Sequence, residues 1–168
     1  MKNIFRLKKI KNREAGFSVV EVLIACLIMS MITLALMSAA TRGIILSTEA
    51  LKKVQASNLM EEGVEAMKSI RDNNWDTISD LNLETDYYLT FDINTNTWSL
   101  GVDPVSPIDG FFTRKVLFSP VYRDSNDDIS SSGTLDNGIK RVTVTVSWPS
   151  SENINSKNIT FYLANIFN

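Results

Sequence analysis

The sequence has no histidine, one cysteine and four prolines in 168 residues. Without histidine, the chain lacks both the usual general base and the commonest metal ligand of proteins. A single cysteine, Cys26, excludes a disulfide within the chain and a metal site built on several thiolates. Apolar residues make up 44% and charged residues 21%, which is typical of a folded protein. The composition therefore predicts a protein that is not an enzyme and that needs no cofactor.

Charge is distributed unevenly along the chain. Residues 1–16 carry six basic residues and one acid, a net charge of +5, whereas the remainder carries 11 basic and 18 acidic residues, a net charge of −7. An apolar run follows at once, with no charged residue between Glu21 and Arg42. As a helix, residues 22–41 would span about 30 Å, the thickness of a bilayer's hydrocarbon core. The basic flank predicts a cytoplasmic N-terminus and an extracytoplasmic remainder.

Simpler interpretations of this segment stay open. An ordinary secretory signal peptide would be cut at the small residues 38–40, but its apolar region would exceed the usual length of about 7–15 residues and would contain an acid. A plain signal anchor without processing fits the length. As a membrane-end acid alone, Glu21 would be an interfacial residue that reaches the lipid headgroups. The plain anchor leaves Gly16, Phe17 and Glu21 unexplained.

The junction between the basic segment and the apolar run reads Gly16-Phe17-Ser18-Val19-Val20-Glu21. It resembles the N-terminal processing and methylation signature of type IV prepilins and related pseudopilins: a basic leader, Gly, Phe, Glu at the fifth position after the Gly, and an apolar helix. The resemblance implies that a prepilin peptidase cuts between Gly16 and Phe17 and methylates the new amine of Phe17. It also implies that Glu21 pairs with the Phe17 amine of a neighbouring subunit during assembly.

The rest of the chain changes from helical to strand periodicity. Apolar residues from Leu51 to Ile70 recur mostly at three- or four-residue steps, and the helix is predicted to end within the Asn-rich residues 71–74. Beyond it the period becomes two, and about five antiparallel strands are predicted, at 87–91, 97–100, 111–122, 139–148 and 159–166. The order of leader, long helix and antiparallel sheet matches the α+β pilin fold.

The predicted organisation is a basic leader over 1–16, a long helix over 17–75 with 22–41 spanning the membrane, and a β-rich extracytoplasmic head over 76–168. Residues 62–75 look similar to minor pilins of the type IV pilus modification kind. The chain departs from many pilins in two ways: its stem has no helix-breaking proline, and its head lacks the paired cysteines that close the C-terminal loop.

One segment of the head is rich in oxygen ligands. Carboxylates and carbonyls suit Ca²⁺, and some pseudopilins bind calcium in such loops. The segment lacks the Gly and the distal Glu of an EF-hand loop, and a solvated turn is the alternative. The candidate calcium ligands are Asp124, Asn126, Asp127 and Asp128.

Two basic pairs, Arg114-Lys115 and Lys140-Arg141, lie on predicted strands. Adjacent strand residues point to opposite faces, so neither pair forms a basic patch. Together with the charge of −7 after residue 16, this argues against nucleic-acid binding.

These observations predict a structural subunit, a minor pilin of a bacterial type IV pilus or related filament. The expected partners are prepilin peptidase, other pilin subunits, the inner-membrane assembly platform and the lipid bilayer. The subunit is expected in the inner membrane before assembly, and in the pilus or at the cell surface afterwards. Two alternatives stay open: a pseudopilin of a type II secretion or DNA-uptake machine, and an unprocessed membrane-anchored binding module.

Overall fold

The computed structural model describes residues 16–150 and 153–166. The chain divides into two compact units, residues 1–47 and residues 48–168. Helix α1 (Val19–Asn73) contributes residues to both units. The predicted basic leader lies outside the described residues, except for Gly16.

In the first unit, a short non-helical segment over 16–18 leads into α1. Three hydroxyl groups within the apolar run, those of Ser30, Thr33 and Thr41, donate to backbone carbonyls three or four residues earlier, at 2.8, 2.8 and 2.9 Å. These three hydroxyl groups can therefore enter hydrocarbon without leaving their donors unpaired. By length and composition, α1 is the one helix among the described residues that could cross a membrane.

The second unit is α+β. After α1 come a short helix α2 (Asp76–Ser79) and eight strands: β1 (Asp86–Asp92), β2 (Thr97–Gly101), β3 (Thr113–Ser119), β4 (Tyr122–Arg123), β5 (Ile129–Ser130), β6 (Thr134–Leu135), β7 (Ile139–Pro149) and β8 (Ile154–Ala164). Five of them form an antiparallel sheet in the order β2-β1-β3-β7-β8, and three form a small sheet in the order β5-β4-β6. The prediction of a long helix followed by an antiparallel sheet is confirmed.

One face of the larger sheet packs on the part of α1 that belongs to the second unit. Alternate residues of β7 face the helix, and Val142, Val144, Val146 and Trp148 are all at most 2% exposed. One cluster joins Val142 and Val144 to Met67 and its neighbours on α1, and a second joins Val146 and Trp148 to Ala56 and Met60. The strict alternation on β7 predicted this buried face.

Arg114 lies on the same buried face of the sheet and is 4% exposed. Its Nη1 donates to the backbone carbonyl of Leu59 at 3.0 Å, and its Nη2 approaches the Glu62 carboxylate at 3.4 Å. The guanidinium also lies 5.2 Å from the ring centroid of Trp98. Burial lowers the pKa of Arg114, and the negative charge of Glu62 opposes that shift. The neighbouring Lys115 points to the opposite face, as alternation predicts. Through its contacts with Leu59 and Glu62, Arg114 joins the helix to the sheet.

Gly63 is the point of closest approach between α1 and the sheet. A Cβ at this position would lie 2.8 Å from Cγ1 of Val144 and 3.2 Å from Cδ of Arg114. Val144 is fully buried and β-branched, so it has little freedom to move aside. The missing side chain thus sets the distance between helix and sheet.

We expect Gly63→Ala to lower the free energy of unfolding of the head by roughly 1–2 kcal/mol, because overpacking outweighs the gain in helix propensity of about 1 kcal/mol. Tryptophan fluorescence during denaturation in detergent would measure it, since the three tryptophans, Trp75, Trp98 and Trp148, all lie in the second unit. Gly43→Ala is the matched control, because a Cβ at Gly43 meets nothing within 4 Å. A neutral or stabilising effect of Gly63→Ala would contradict the packing argument.

The structure differs from the predicted strands in three places. Strand β3 is shorter than the predicted 111–122, the small sheet was not predicted, and β8 begins at Ile154 rather than at 159. The early part of β8 carries polar residues on its helix-facing side: Lys157 Nζ donates to Ser57 Oγ at 2.7 Å, and Asn155 Nδ2 approaches Glu49 Oε2 at 3.5 Å. Because this part of the strand meets polar helix residues, its sequence shows no apolar alternation.

Candidate processing and assembly site

The predicted cleavage site, Gly16–Phe17, lies in the non-helical segment before α1. Both residues are exposed, and Phe17 is 80% exposed. The carbonyl of Ser18 accepts the first helical hydrogen bonds, from the N–H groups of Glu21 at 2.9 Å and Val22 at 3.2 Å. The bond between Gly16 and Phe17 therefore takes no part in the described helix, and a protease can bind it without unwinding a turn.

Gly16 has no structural role of its own in the described chain. A Cβ added at this position would meet nothing within 4 Å. The fold of the described residues thus tolerates a side chain at position 16. A requirement for glycine here would have to come from a molecule that binds the segment.

Glu21 lies in the first turn of α1 and is exposed. A carboxylate in the first turn interacts favourably with the positive end of the helix dipole. No ion pair joins Glu21 to any of the described residues. A cation that pairs with Glu21 would therefore have to come from outside the described residues.

A shallow apolar groove runs along one face of α1 at its start. Phe17, just before the helix, and Glu21, in its first turn, both contribute side chains to this groove. The side chains that line the groove are Phe17, Glu21, Val22, Ala25, Cys26 and Met29. The three residues predicted to carry processing and assembly therefore lie close in the chain: Gly16 and Phe17 are consecutive and precede α1, and Glu21 lies in its first turn.

The candidate calcium segment forms a loop that is closed by its own hydrogen bonds. Oδ1 of Asp124 accepts the backbone N–H groups of Asn126 at 2.8 Å and Asp128 at 3.0 Å. The guanidinium of Arg123 donates to the carbonyl of Asp127 at 2.6 Å, so a positive charge already lies beside the loop. In residues 16–150 and 153–166, no three His, Cys, Asp or Glu side chains come together as metal ligands. We assign no calcium function to this loop.

The same arginine also holds Asp136, a residue that the sequence did not single out. Nε of Arg123 donates to Oδ2 of Asp136 at 2.6 Å, and the N–H of Gly138 donates to Oδ1 at 2.8 Å. The bond from Arg123 is the main cause that holds the pKa of Asp136 below its ordinary value. These two residues lie 13 positions apart, and no local pattern in the sequence links them.

Asp136 is therefore expected to stabilise the small sheet in a pH-dependent way. A carboxyl group whose pKa is lowered by folding contributes stability above its unfolded pKa of about 3.9 and loses that contribution as the pH falls through its folded pKa. We expect Asp136→Asn to lower the free energy of unfolding near pH 7 by up to about 1 kcal/mol, and the difference from the unchanged chain to shrink below about pH 4.

Denaturation curves of the two chains at neutral and acid pH would measure this difference. The control is Asp103→Asn, which removes an exposed carboxylate that makes no described hydrogen bond or ion pair. A difference of the same size at both pH values would contradict the role of the Asp136 charge.

Comparison with known proteins bears on the N-terminal segment. A family model described as the prokaryotic N-terminal methylation motif matches residues 11–37, which include Gly16, Phe17 and Glu21. No curated protein and no solved structure matches the chain significantly. The motif supports a type IV prepilin-like, processed protein, and together with the apolar helix it suits a membrane-anchored subunit. The match covers 27 of 168 residues and does not reach the head.

Proposed function

We propose that this chain is a minor pilin, a structural subunit of a type IV pilus or related filament. Prepilin peptidase processes it between Gly16 and Phe17, and it then assembles through its apolar N-terminal helix. The observation that carries the proposal is the methylation-motif match over residues 11–37, and the predicted cleavage site within it is exposed just before α1. In this proposal the chain is a substrate of the peptidase and has a structural rather than a catalytic role.

Cleavage changes the charge at the start of the helix. Hydrolysis of the Gly16–Phe17 bond removes a leader of charge +5 and leaves one α-amine on Phe17. The ordinary pKa of an α-amine is about 7.7–8.0, so this group is largely cationic at neutral pH, and a methylated amine keeps its charge. The positive leader that holds the N-terminus in the cytoplasm is thereby replaced by a single ammonium group.

The new ammonium group is a suitable partner for Glu21, which forms no ion pair with the described residues. At about 4 Å and an effective dielectric constant near 20, a pair of unit charges gains about 4 kcal/mol of gross Coulomb energy. Leaving a carboxylate unpaired near the end of a membrane helix costs on the order of 2–3 kcal/mol. Pairing with the Phe17 amine of a neighbouring subunit would offset that cost and select subunits that have been cut.

Most of the assembly energy must come from helix packing. In the first unit, the apolar side chains of α1 are exposed in the described chain, from Val19 to Leu46. Helices in a bilayer or a filament associate through close van der Waals packing, and the Ala, Ser and Thr residues of this run allow close approach. The ion pair sets which subunits join and at which register, whereas packing supplies the driving force.

Intact-mass and N-terminal analysis of the protein from its native cells tests the proposal. We expect a chain that begins at Phe17 and carries one added methyl group. A chain that still carries its basic leader would overturn the assignment and favour an unprocessed anchored module. Deletion then separates the two kinds of machine: loss of surface pili supports the minor pilin, and loss of secretion or DNA uptake with pili intact supports a pseudopilin.

A further inference from the structure

One end of the larger sheet carries three loop tips. The β1–β2 turn follows the last pair of that hairpin, Asp92 with Thr97, and the β7–β8 turn follows the pair Pro149 with Ile154. The residues before Thr113, which pairs with Ser147, reach the same end, because Ser147 lies two positions from Pro149. The turn around Ile93, the loop around Phe111 and the β7–β8 turn thus share one rim of the head.

This rim carries the two most exposed large hydrophobic side chains among the described residues of the second unit. Ile93 is 82% exposed and Ile154 is 76% exposed. Each stands among polar neighbours: Ile93 lies between Asp92 and Asn94, and Ile154 lies between Asn153 and Asn155. Single exposed hydrophobic residues are common, but turns favour Asn, Asp, Gly and Ser for their backbone geometry. Ile93 lies in the β1–β2 turn, and Ile154 begins β8 next to the β7–β8 turn, so the rim carries a pair of apolar tips.

The chain enters the head at this same end. Nζ of Lys52 lies 4.9 Å from the ring centroid of Phe111, and Ala56 packs in the cluster that contains Trp148. Only seven positions separate Thr41, the last residue of the predicted span, from Thr48, the first residue of the second unit. Even fully extended, seven residues reach at most about 25 Å. The point where the head is attached therefore stays near any membrane that holds residues 22–41.

We propose that this rim, defined by Ile93, Phe111 and Ile154, rests on the outer surface of the lipid bilayer before assembly, with the two isoleucine tips inserted between headgroups. The inference depends on the proposed membrane anchor. The charged residues at the rim are the exposed Asp92, which precedes Ile93, Asp109, which lines the same groove as Phe111, and Lys52, which is paired with Glu49 at 3.3 Å. Because these residues give no excess of positive charge, the contact depends on the apolar tips and needs no anionic lipid.

Contact between the rim and the membrane would restrict the orientation of the head, which the anchor alone does not do. A head held on the membrane has a restricted orientation, so less orientational freedom is lost when it joins a growing filament. Extraction of the helix from the bilayer would have to lift the two tips out of the headgroups at the same time. The rim thus acts as a second, reversible membrane contact beside the permanent one.

The full-length chain, labelled with an environment-sensitive fluorophore in phosphatidylcholine vesicles, tests the proposal. Cys26→Ala removes the native thiol, and Ile93→Cys or Ile154→Cys then places one label on the rim. Ile166→Cys is the matched control: it is 58% exposed and follows the opposite end of β8, about 30 Å away. We expect a blue-shifted emission and quenching by lipid-attached quenchers at positions 93 and 154, and neither effect at 166.

Labels at 93 and 154 that behave like the label at 166 would overturn the rim proposal. Shielding of these two positions only in assembled filaments would do the same, because it would assign the rim to a neighbouring subunit. The chain labelled at its native Cys26 reports on the anchor separately. If Cys26 is quenched from lipid while the rim positions are not, the rim proposal alone fails; if Cys26 is not quenched, the membrane anchor and the proposed function fail as well.

Discussion

A chain carrying Gly16→Arg is expected to insert into the membrane normally and to keep its leader. The substitution places a long charged side chain next to the bond that a prepilin peptidase would cut, where glycine allows an extended backbone to enter a narrow site. Cleavage should fall to a level that mass analysis of the membrane fraction does not detect. Insertion should persist, because one more basic residue reinforces the charge pattern that predicts a cytoplasmic N-terminus.

The structure makes this a clean test of recognition by the peptidase. A side chain at position 16 meets nothing within 4 Å in the described chain, so the substitution should not disturb α1 or the head. Gly16→Ala is the matched control, and we expect slower but measurable cleavage. Normal cleavage of the Gly16→Arg chain would remove the peptidase assignment.

Glu21→Ala is expected to have the opposite pattern, with normal cleavage and poor incorporation. The variant loses a gross attraction of about 4 kcal/mol with the neighbouring amine but also loses the cost of on the order of 2–3 kcal/mol for an acid near the membrane end. The net difference of roughly 1–2 kcal/mol corresponds to a decrease in incorporation of about tenfold per contact. Immunoblots of sheared filaments against total cell protein would measure it.

Two further variants separate charge from shape at this position. Glu21→Gln keeps the size of the side chain without its charge and should behave like Glu21→Ala. Glu21→Asp keeps the charge on a shorter side chain and should restore part of the incorporation. Full incorporation of the glutamine variant would show that the carboxylate charge has no part in assembly.

The local features of this protein could be predicted from its sequence. Gly16, Phe17 and Glu21 carry their signal in six consecutive residues, so their spacing could be recognised without a fold. The end of α1 at Asn73 falls within the predicted residues 71–74, because Asn-rich segments favour helix termination. The alternation from Val142 to Trp148 likewise predicted the buried face of β7 correctly.

The remaining features depend on contacts between distant residues. Alternation predicts that Arg114 and Lys115 point to opposite faces, but the choice of which one is buried depends on a carbonyl of α1, 55 positions away. The early half of β8 was missed because its inward side chains meet polar helix residues, such as Ser57 with Lys157. The small sheet consists of two-residue strands, which are too short to show any period.

The position of β8 in the chain determines when the head can fold. Leu163 on this strand packs in the same core cluster as Met67 of α1, which lies 96 residues earlier in the chain. Strand β8 is also an edge strand of the larger sheet and pairs with β7 along the full length of β7. Contacts of such long separation form late, because the intervening loop must first close. In the proposed topology, residues 22–41 are made, and can be inserted, well before the strand that completes the core emerges. Insertion of this apolar segment then needs no folded partner, whereas the head can complete its core only after β8 has crossed the membrane.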